Sequence, residues 1–355
     1  SEAPARGLSM GGAETIRSLF GSYAEELNTG LREVFASLPD EPMYQQLAYF
    51  MGLRDEQLQP VDVVAGKRVR SALALALADW YGARDRGLST ALSIELFHNA
   101  TLVHDDIVDQ DSLRRGRPTV WKLFGTDHAI NSGDAQFLLS LEVIARDEQL
   151  PASLVLEVQR YLLSAYRAVL EGQALDFQLA AAALSDPVVS EAQYRMMIQK
   201  KTAMLIEAAV CAAGMVASVP PEERATLAQF GHSLGMAYQI CDDVVSIWSE
   251  TTLSGKERFG DIKERKKTLP VLYAQDTLTA ADRATLEQYY ASPISTDADC
   301  EAVIALLDRA DAKGAVEAQI DELAKEAKAV IEELSIASEA KETLVAVVDS
   351  LLPRV

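Results

Sequence analysis

ATLAQFGHSLGMAYQICDDVVSIW, residues 225–248, sets Leu227, Phe230, Leu234, Tyr238, Cys241 and Val245 at steps of three and four. That spacing lines one face of an α-helix at 3.6 residues per turn. The stretch closes on two aspartates. If the helix runs on, Asp242, Ser246 and Glu250 fall on nearly one line of it. Three oxygen-bearing side chains on one helical stripe are a candidate ligand set for a hard cation.

The same periodicity runs through AETIRSLFGSYAEELNTGLREVF (13–35), ALSIELFHNATLVHDDIVD (91–109) and LVLEVQRYLLSAYRAVLEGQALDFQLA (154–180). The Ala-, Glu- and Lys-rich segment 315–352 also reads as helix. Alternating β-type runs are nearly absent. Helix breakers sit between these segments: GARDRG (82–87), RRGRP (114–118), LSDP (184–187) and VPPEE (219–223). In the last, Pro221 with Glu222 and Glu223 reads as a first helical turn. No linker or fixed-period repeat divides the chain. The expected fold is all-α, a single-domain helical bundle over residues 1–355.

Hydrophobic residues make up 49% of the 355 and the mean hydropathy is +0.02, enough for a sizeable core. The net charge of −20 argues against a nucleic-acid or anionic-membrane surface. It also makes any local cluster of Lys and Arg informative. Cys211, Cys241 and Cys300 include no CxxC pair, which gives neither a disulfide framework nor a zinc site and suits a reducing compartment. No signal peptide is visible, and the apolar run SALALALADWYG (71–82) is too short and interrupted to span a bilayer. A cytoplasmic location is the expectation.

The chemistry concentrates in LVHDDIVDQDSLRRGRPT (102–119). On a helix, Asp105 and Asp109 lie one turn apart on one face, with Asp106 rotated away. Within ten residues the charge inverts to Arg114, Arg115 and Arg117. Such carboxylates repel one another; with Mg²⁺ they become a receptor for a polyphosphate, whose remaining oxygens arginine clamps in pairs. The bland alternative is a solvated helix end with ordinary ion pairs. DDVVS (242–246) then repeats the spacing of DDIVD and again closes an apolar helix, so two aspartate-bearing helices facing across a bundle would make a two-sided metal cage. Lys256, Lys263, Arg265, Lys266 and Lys267 follow it, and GKRVR puts Lys67 and Arg70 three apart on one face. Three cationic clusters in so acidic a chain imply a strongly anionic small ligand.

With these residues in view, the chain resembles the trans-isoprenyl diphosphate synthases, the polyprenyl synthetase family, and within it the geranylgeranyl diphosphate synthases. The matching pieces are GKRVR (66–70), ELFHNATLVHDDIVDQDSLRRGRPT (95–119), GDA (133–135), GQALD (172–176), KT (201–202), QICDD (239–243) and GKERFGDIKERKKTLP (255–270). These pieces lie between residues 60 and 275. The resemblance implies a bundle with a central apolar cavity: a Mg²⁺-dependent prenyltransferase that joins isopentenyl diphosphate to an allylic diphosphate, with three ions when substrate is bound, working as a homodimer. It implies that Asp105 and Asp109, with Asp106 nearby, and Asp242, with Asp243 close by, serve the metal. By the same resemblance Arg114, Lys201 and Lys256 hold the allylic diphosphate, joined by Lys266; Lys200 beside Lys201 leaves a choice of register. Lys67, Arg70, His98 and Arg115 match the pocket for isopentenyl diphosphate. Thr202 and Gln239 match polar groups beside the nascent allylic cation.

The implied chemistry suits these residue types. Neutralising the diphosphate lets it leave and produces an allylic carbocation, which a dry apolar cavity protects from water. The family usually closes its second motif with a third aspartate, where this chain has Ser246. Either Asp242 serves alone, or Asp242, Ser246 and Glu250 act together, as in the similar motif of class I terpene cyclases. The intact cations of GKRVR and RRG, with His98, favour the synthase, because a cyclase has no second anion for them to bind. A non-catalytic regulatory subunit is a further alternative, against which the intact Asp105, Asp109 and Arg114 argue.

Product length is read from the residues before Asp105. Ala100 and Thr101 are small, so the expected floor is Phe97, about one turn or ~5 Å deeper, with Phe137 helping to seal it. That implies a product of twenty or twenty-five carbons or longer. His104, His128 and His232 read as packed or capped histidines, and Asp134, Gln173 and Asp176 as orienting groups near the site.

Overall fold

The computed structural model describes residues 10–62, 67–250 and 258–355; Lys256 lies outside the described residues. The helices are α1 (Met10–Ala36), α2 (Pro42–Phe50), α3 (Val69–Trp80), α4 (Arg84–Val108), α5 (Val120–Phe124), α6 (Thr126–Ala145), α7 (Ala152–Ala181), α8 (Glu191–Ile198), α9 (Met204–Val216) and α10 (Pro221–Trp248). They continue as α11 (Gly260–Lys263), α12 (Leu269–Thr277), α13 (Ala280–Tyr290), α14 (Asp297–Arg309), α15 (Ala312–Glu332) and α16 (Ser338–Leu351). A π-turn, Gln199–Ala203, joins α8 to α9. The all-α expectation holds, apart from a two-residue hairpin that the breaker RRGRP forms, β1 (Leu113–Arg114) with β2 (Arg117–Pro118).

Two helices are buried on every side. In α3 each residue from Ser71 to Ala78 is buried, and α9 is buried from Leu205 to Val216 apart from Glu207. A helix apolar all round belongs inside a bundle or a membrane; α3 packs against α1, α4 and α9, and α9 against α7 and α10. The run SALALALADWYG is therefore a core helix, and among the described residues no helix is long and apolar enough to cross a membrane. Burying a Leu or Phe side chain contributes about 1.5–3 kcal/mol, and the core includes Leu73, Leu75, Phe97, Leu227 and Phe230. Around this centre α4 lies along α6, and α10 along α15.

Helix ends set where the chemistry falls. α4 stops at Val108, with Asp109 capping it through a backbone N–H to the Asp105 carbonyl, so the two carboxylates do stand one turn apart. α10 stops at Trp248, and Ser249 is extended (ψ 129°). Glu250 lies past the end of that helix, which removes it from the Asp242–Ser246 stripe that the sequence suggested. Lys67 and Arg70 likewise do not share a helical face: α3 starts only at Val69, after Arg68 in the left-handed region (φ 46°). The π-turn sits between two glycines. A Cβ on Gly172 of α7 would overlap the Lys201 backbone, and one on Gly235 of α10 would overlap Ala203. Such a turn is frequent at functional sites, and here it carries Lys201 and Thr202.

Candidate active site

A cavity of about 360 Å³ opens between α3, α4, α6, α7 and the π-turn. Its polar lining is Arg70, His98, Thr101, His104, Asp105, Gln173, Lys201 and Thr202; its apolar lining is Leu102, Val108, Phe137, Val169, Leu170, Phe177 and Leu205. Burial pushes the Asp105 carboxyl up to about 6; Lys201 and Arg114 pull it down, while Asp109 and Asp106 push it further up. Asp109 is also raised by burial, against the pull of Lys266 and Lys201. Gln173 Nε2 donates to Asp105 Oδ1 at 3.3 Å, and Lys201 Nζ to Asp176 Oδ2 at 2.6 Å, so GQALD orients both groups. Lys200 turns away to Glu171 at 2.8 Å, and of the two lysines it is Lys201 that lines the cavity.

Each aspartate pair splits. Asp106 is 1% exposed and accepts from Arg114 Nε and Nη2 at 2.7–3.0 Å. Asp243 is 3% exposed; Gln239 Nε2 donates to its Oδ1 at 3.0 Å, and the Tyr194 hydroxyl donates to Oδ2. The same Gln239 accepts from Thr202 Oγ1 at 2.9 Å, which joins α10 to the π-turn. Tyr194 has no mark in the sequence beyond an aromatic on a short helix. Asp242, by contrast, is only half-buried.

Among the described residues no three His, Cys, Asp or Glu side chains gather where they could hold an ion. What the site offers is Asp105 and Asp109, two desolvated carboxylates that lie one turn apart. Mg²⁺ prefers one or two carboxylates completed by phosphate oxygens and water, so this donor set fits the ion in company with a diphosphate and not alone.

A second anionic locus adjoins the first. His98 is held neutral, its titration pushed well down by burial and by the neighbouring Arg70, Arg115 and Arg114. Arg70 lies 5.9 Å from the Tyr238 ring centre, and its buried Nε has no acceptor among the described residues. A buried unpaired donor costs about 1–3 kcal/mol, which an anionic ligand would recover. Arg115 reaches Asn99 Oδ1 at 3.3 Å. Lys67 is exposed beside residues 63–66, outside the cavity lining. Lys266 bonds Glu264 at 3.2 Å and is raised: burial lowers it, but Asp261, Glu264 and Asp109 outweigh that.

A profile of the polyprenyl synthetase family matches residues 56–307. The chain belongs to that family. A (2E,6E)-farnesyl diphosphate synthase of Mycobacterium tuberculosis is 34% identical over 80% of this chain and 79% of its own. A geranylgeranyl diphosphate synthase of the same organism is 32% identical over 84% and 87%. The crystal structure of a polyprenyl synthetase from Streptomyces coelicolor superposes with a TM-score of 0.84 at 29% identity, covering 95% of this chain and 99% of that one. As a polyprenyl synthetase the protein is a chain-elongating trans-prenyltransferase. The terpene cyclase reading finds no support: Glu250 is off the helix, and Arg70, His98, Arg114 and Arg115 cluster beside the cavity.

Below the polar groups the wall is aromatic. Phe137 lines the cavity, while Phe97 stands behind it at 5.4 Å, stacked on Tyr166 at 3.8 Å with the rings 3° from parallel. The Tyr166 hydroxyl bonds Ser93 Oγ at 2.7 Å. Ala100, fully buried, and Phe97 are therefore one layer further back than the sequence suggests; Thr101 and Phe137 are the residues in contact with the space. His104 packs edge-on to Phe137, donates from Nε2 to the Ile130 carbonyl at 3.0 Å, and sits against Gly133, which accounts for GDA.

Proposed function

We propose that this enzyme condenses isopentenyl diphosphate with an allylic prenyl diphosphate and releases an all-trans prenyl diphosphate of twenty or twenty-five carbons. The observation that carries the reading is one apolar cavity bordered by two separate sets of charges. Asp105 with Lys201 forms one; Arg70 and the neutral His98, with Arg115 near His98, form the other. Two anionic substrates whose tails must meet need that arrangement.

Asp105, Asp109 and, from the other wall, Asp242 would hold Mg²⁺, three ions with substrate bound. The metal supplies charge neutralisation for the departing diphosphate. Lys201, Arg114 and Lys266, with Lys256 from the adjoining segment, bind the same diphosphate and fix its direction of departure. Thr202 and Gln239 present oxygens and a fixed dipole to the allylic carbon as positive charge develops there. Arg70, Arg115, His98 and Lys67 seat the second diphosphate so that its double bond points at that carbon; holding both reactants in line is worth several kcal/mol of barrier, up to about 11. Leu102, Val169 and Leu205 keep water off the cation.

A homodimer agrees with one further feature. Leu156, Leu163, Leu170 and Phe177 recur every seven residues on α7 and are 47–51% exposed, with Ile130 and Leu138 exposed on α6. A stripe of this kind marks an association surface. Incubation with Mg²⁺, an allylic diphosphate and labelled isopentenyl diphosphate, followed by mass spectrometry of the dephosphorylated products, tests the activity. Elongated prenols are expected; a cyclised hydrocarbon, or no turnover, would sink it.

A further inference from the structure

Glu95 lies on α4, 5% exposed and away from the cavity lining. A carboxylate taken out of water is costly unless its oxygens are met, and here both are. Oε1 accepts from Arg68 Nη1 at 2.8 Å and from Asn99 Nδ2 at 3.0 Å; Oε2 accepts from Ser71 Oγ at 2.9 Å. Arg68 also donates from Nε to Asn28 Oδ1 at 2.7 Å and reaches the Met51 carbonyl at 3.4 Å. Asn99 spends its amide N–H groups on Glu95, at Oε1 and at the backbone carbonyl 2.8 Å away, which leaves Oδ1 to accept Arg115 Nη2. One buried carboxylate thus ties the left-handed residue that opens α3, two residues before Arg70, to the guanidinium that follows α4.

Stability alone does not explain the network, since apolar residues of equal volume stabilise a core as well as a buried ion pair or better. What the pair adds is direction. Arg70, Arg114 and Arg115 all lower the titration of His98, so these cations crowd one spot and repel one another. Glu95 is the charge that most opposes the lowering of Arg115.

We infer that Glu95 is a positioning residue for the isopentenyl diphosphate pocket, holding the Arg68–Arg70 segment directly and Arg115 through Asn99. The inference rests on the proposed function, and its effect is confined to one of the two substrates. Both KM values, kcat and the thermal midpoint would be measured for wild type, Glu95→Gln and Asn99→Ala. Glu95→Gln is expected to raise the KM for isopentenyl diphosphate about tenfold or more. The KM for the allylic substrate should stay near that of wild type, and kcat at saturation should largely be kept. Glu95→Asp should recover part of the loss. A purely stabilising role would lower the midpoint and leave the two KM values in their original ratio, and that outcome overturns the inference. If Glu95→Gln does not fold, Asn99→Ala, which leaves the Arg68–Glu95 pair in place, decides: the same one-sided KM change supports the inference and its absence overturns it. A wild type that makes no elongated product overturns the functional reading itself, and the inference with it.

Discussion

Asp106 and Arg114 form a forked ion pair, with Nε 2.9 Å from Oδ2 and Nη2 2.7 Å from Oδ1, at the end of α4. The pairing assigns a different duty to each aspartate of DDIVD. Asp105 lines the cavity and Asp109 stands one turn from it, while Asp106, raised by burial and restrained by the arginine, aims that arginine. Asp105→Asn should lower kcat by about a hundredfold or more through loss of charge stabilisation and raise the Mg²⁺ concentration giving half-maximal rate. Asp106→Asn should leave that Mg²⁺ concentration unchanged and weaken the allylic substrate by about ten- to a hundredfold, as loss of an orienting partner does. A Mg²⁺ titration of the two variants checks this; equal shifts would put Asp106 among the ligands.

The second motif repeats the division. Asp243 holds Gln239, which receives the Thr202 hydroxyl. A double-mutant cycle over Asp243→Asn and Gln239→Ala is the measurement. If Asp243 acts through Gln239, the double variant should lose no more rate than the worse single one. Losses that add would show that Asp243 acts separately.

The Asp105 carboxyl titrates near 6 in the folded protein against 3.8 in the unfolded chain. The folded state therefore favours the protonated form; that stability is fully present below 3.8 and is lost as pH rises through about 6. Without metal, Asp105→Asn, which mimics the protonated acid, should melt above wild type near neutral pH, and the gain should vanish as pH falls towards 3.8. Thermal unfolding in a chelator at several pH values tests it. A gain that does not depend on pH would mean that packing, not charge, is responsible.

Most of this architecture is legible in the sequence because it follows from period. Three- and four-residue apolar spacing places the long helices, and the i, i+4 rule puts Asp105 and Asp109 on one face. What escapes is set by backbone events that no period announces. The π-turn that turns Lys201 and Lys200 to opposite partners depends on the close approach of Gly172 and Gly235. The left-handed Arg68 separates Lys67 from Arg70, and the extended Ser249 ends α10 before Glu250. Nor does an Asp-Asp pair say which member turns inward; Tyr194 and Arg114 decide that, from 49 and 8 residues away.

On the proposed reaction, product length would be set by the aromatic layers under Asp105. Phe137 is in contact with the cavity, and Phe97 is held behind it by its stack on Tyr166. Phe137→Ala should open space first, lengthening the main product by one five-carbon unit. Phe97→Ala alone should act less, because Phe137 still closes the wall, and the double variant should shift the distribution further than either. Deleting a buried phenylalanine costs about 3–5 kcal/mol, so Phe137, partly exposed to the cavity, should be tolerated better than fully buried Phe97. Mass spectrometry of dephosphorylated products reads the lengths. A larger effect from Phe97→Ala than from Phe137→Ala would place the floor on α4, where the small Ala100 and Thr101 suggest it.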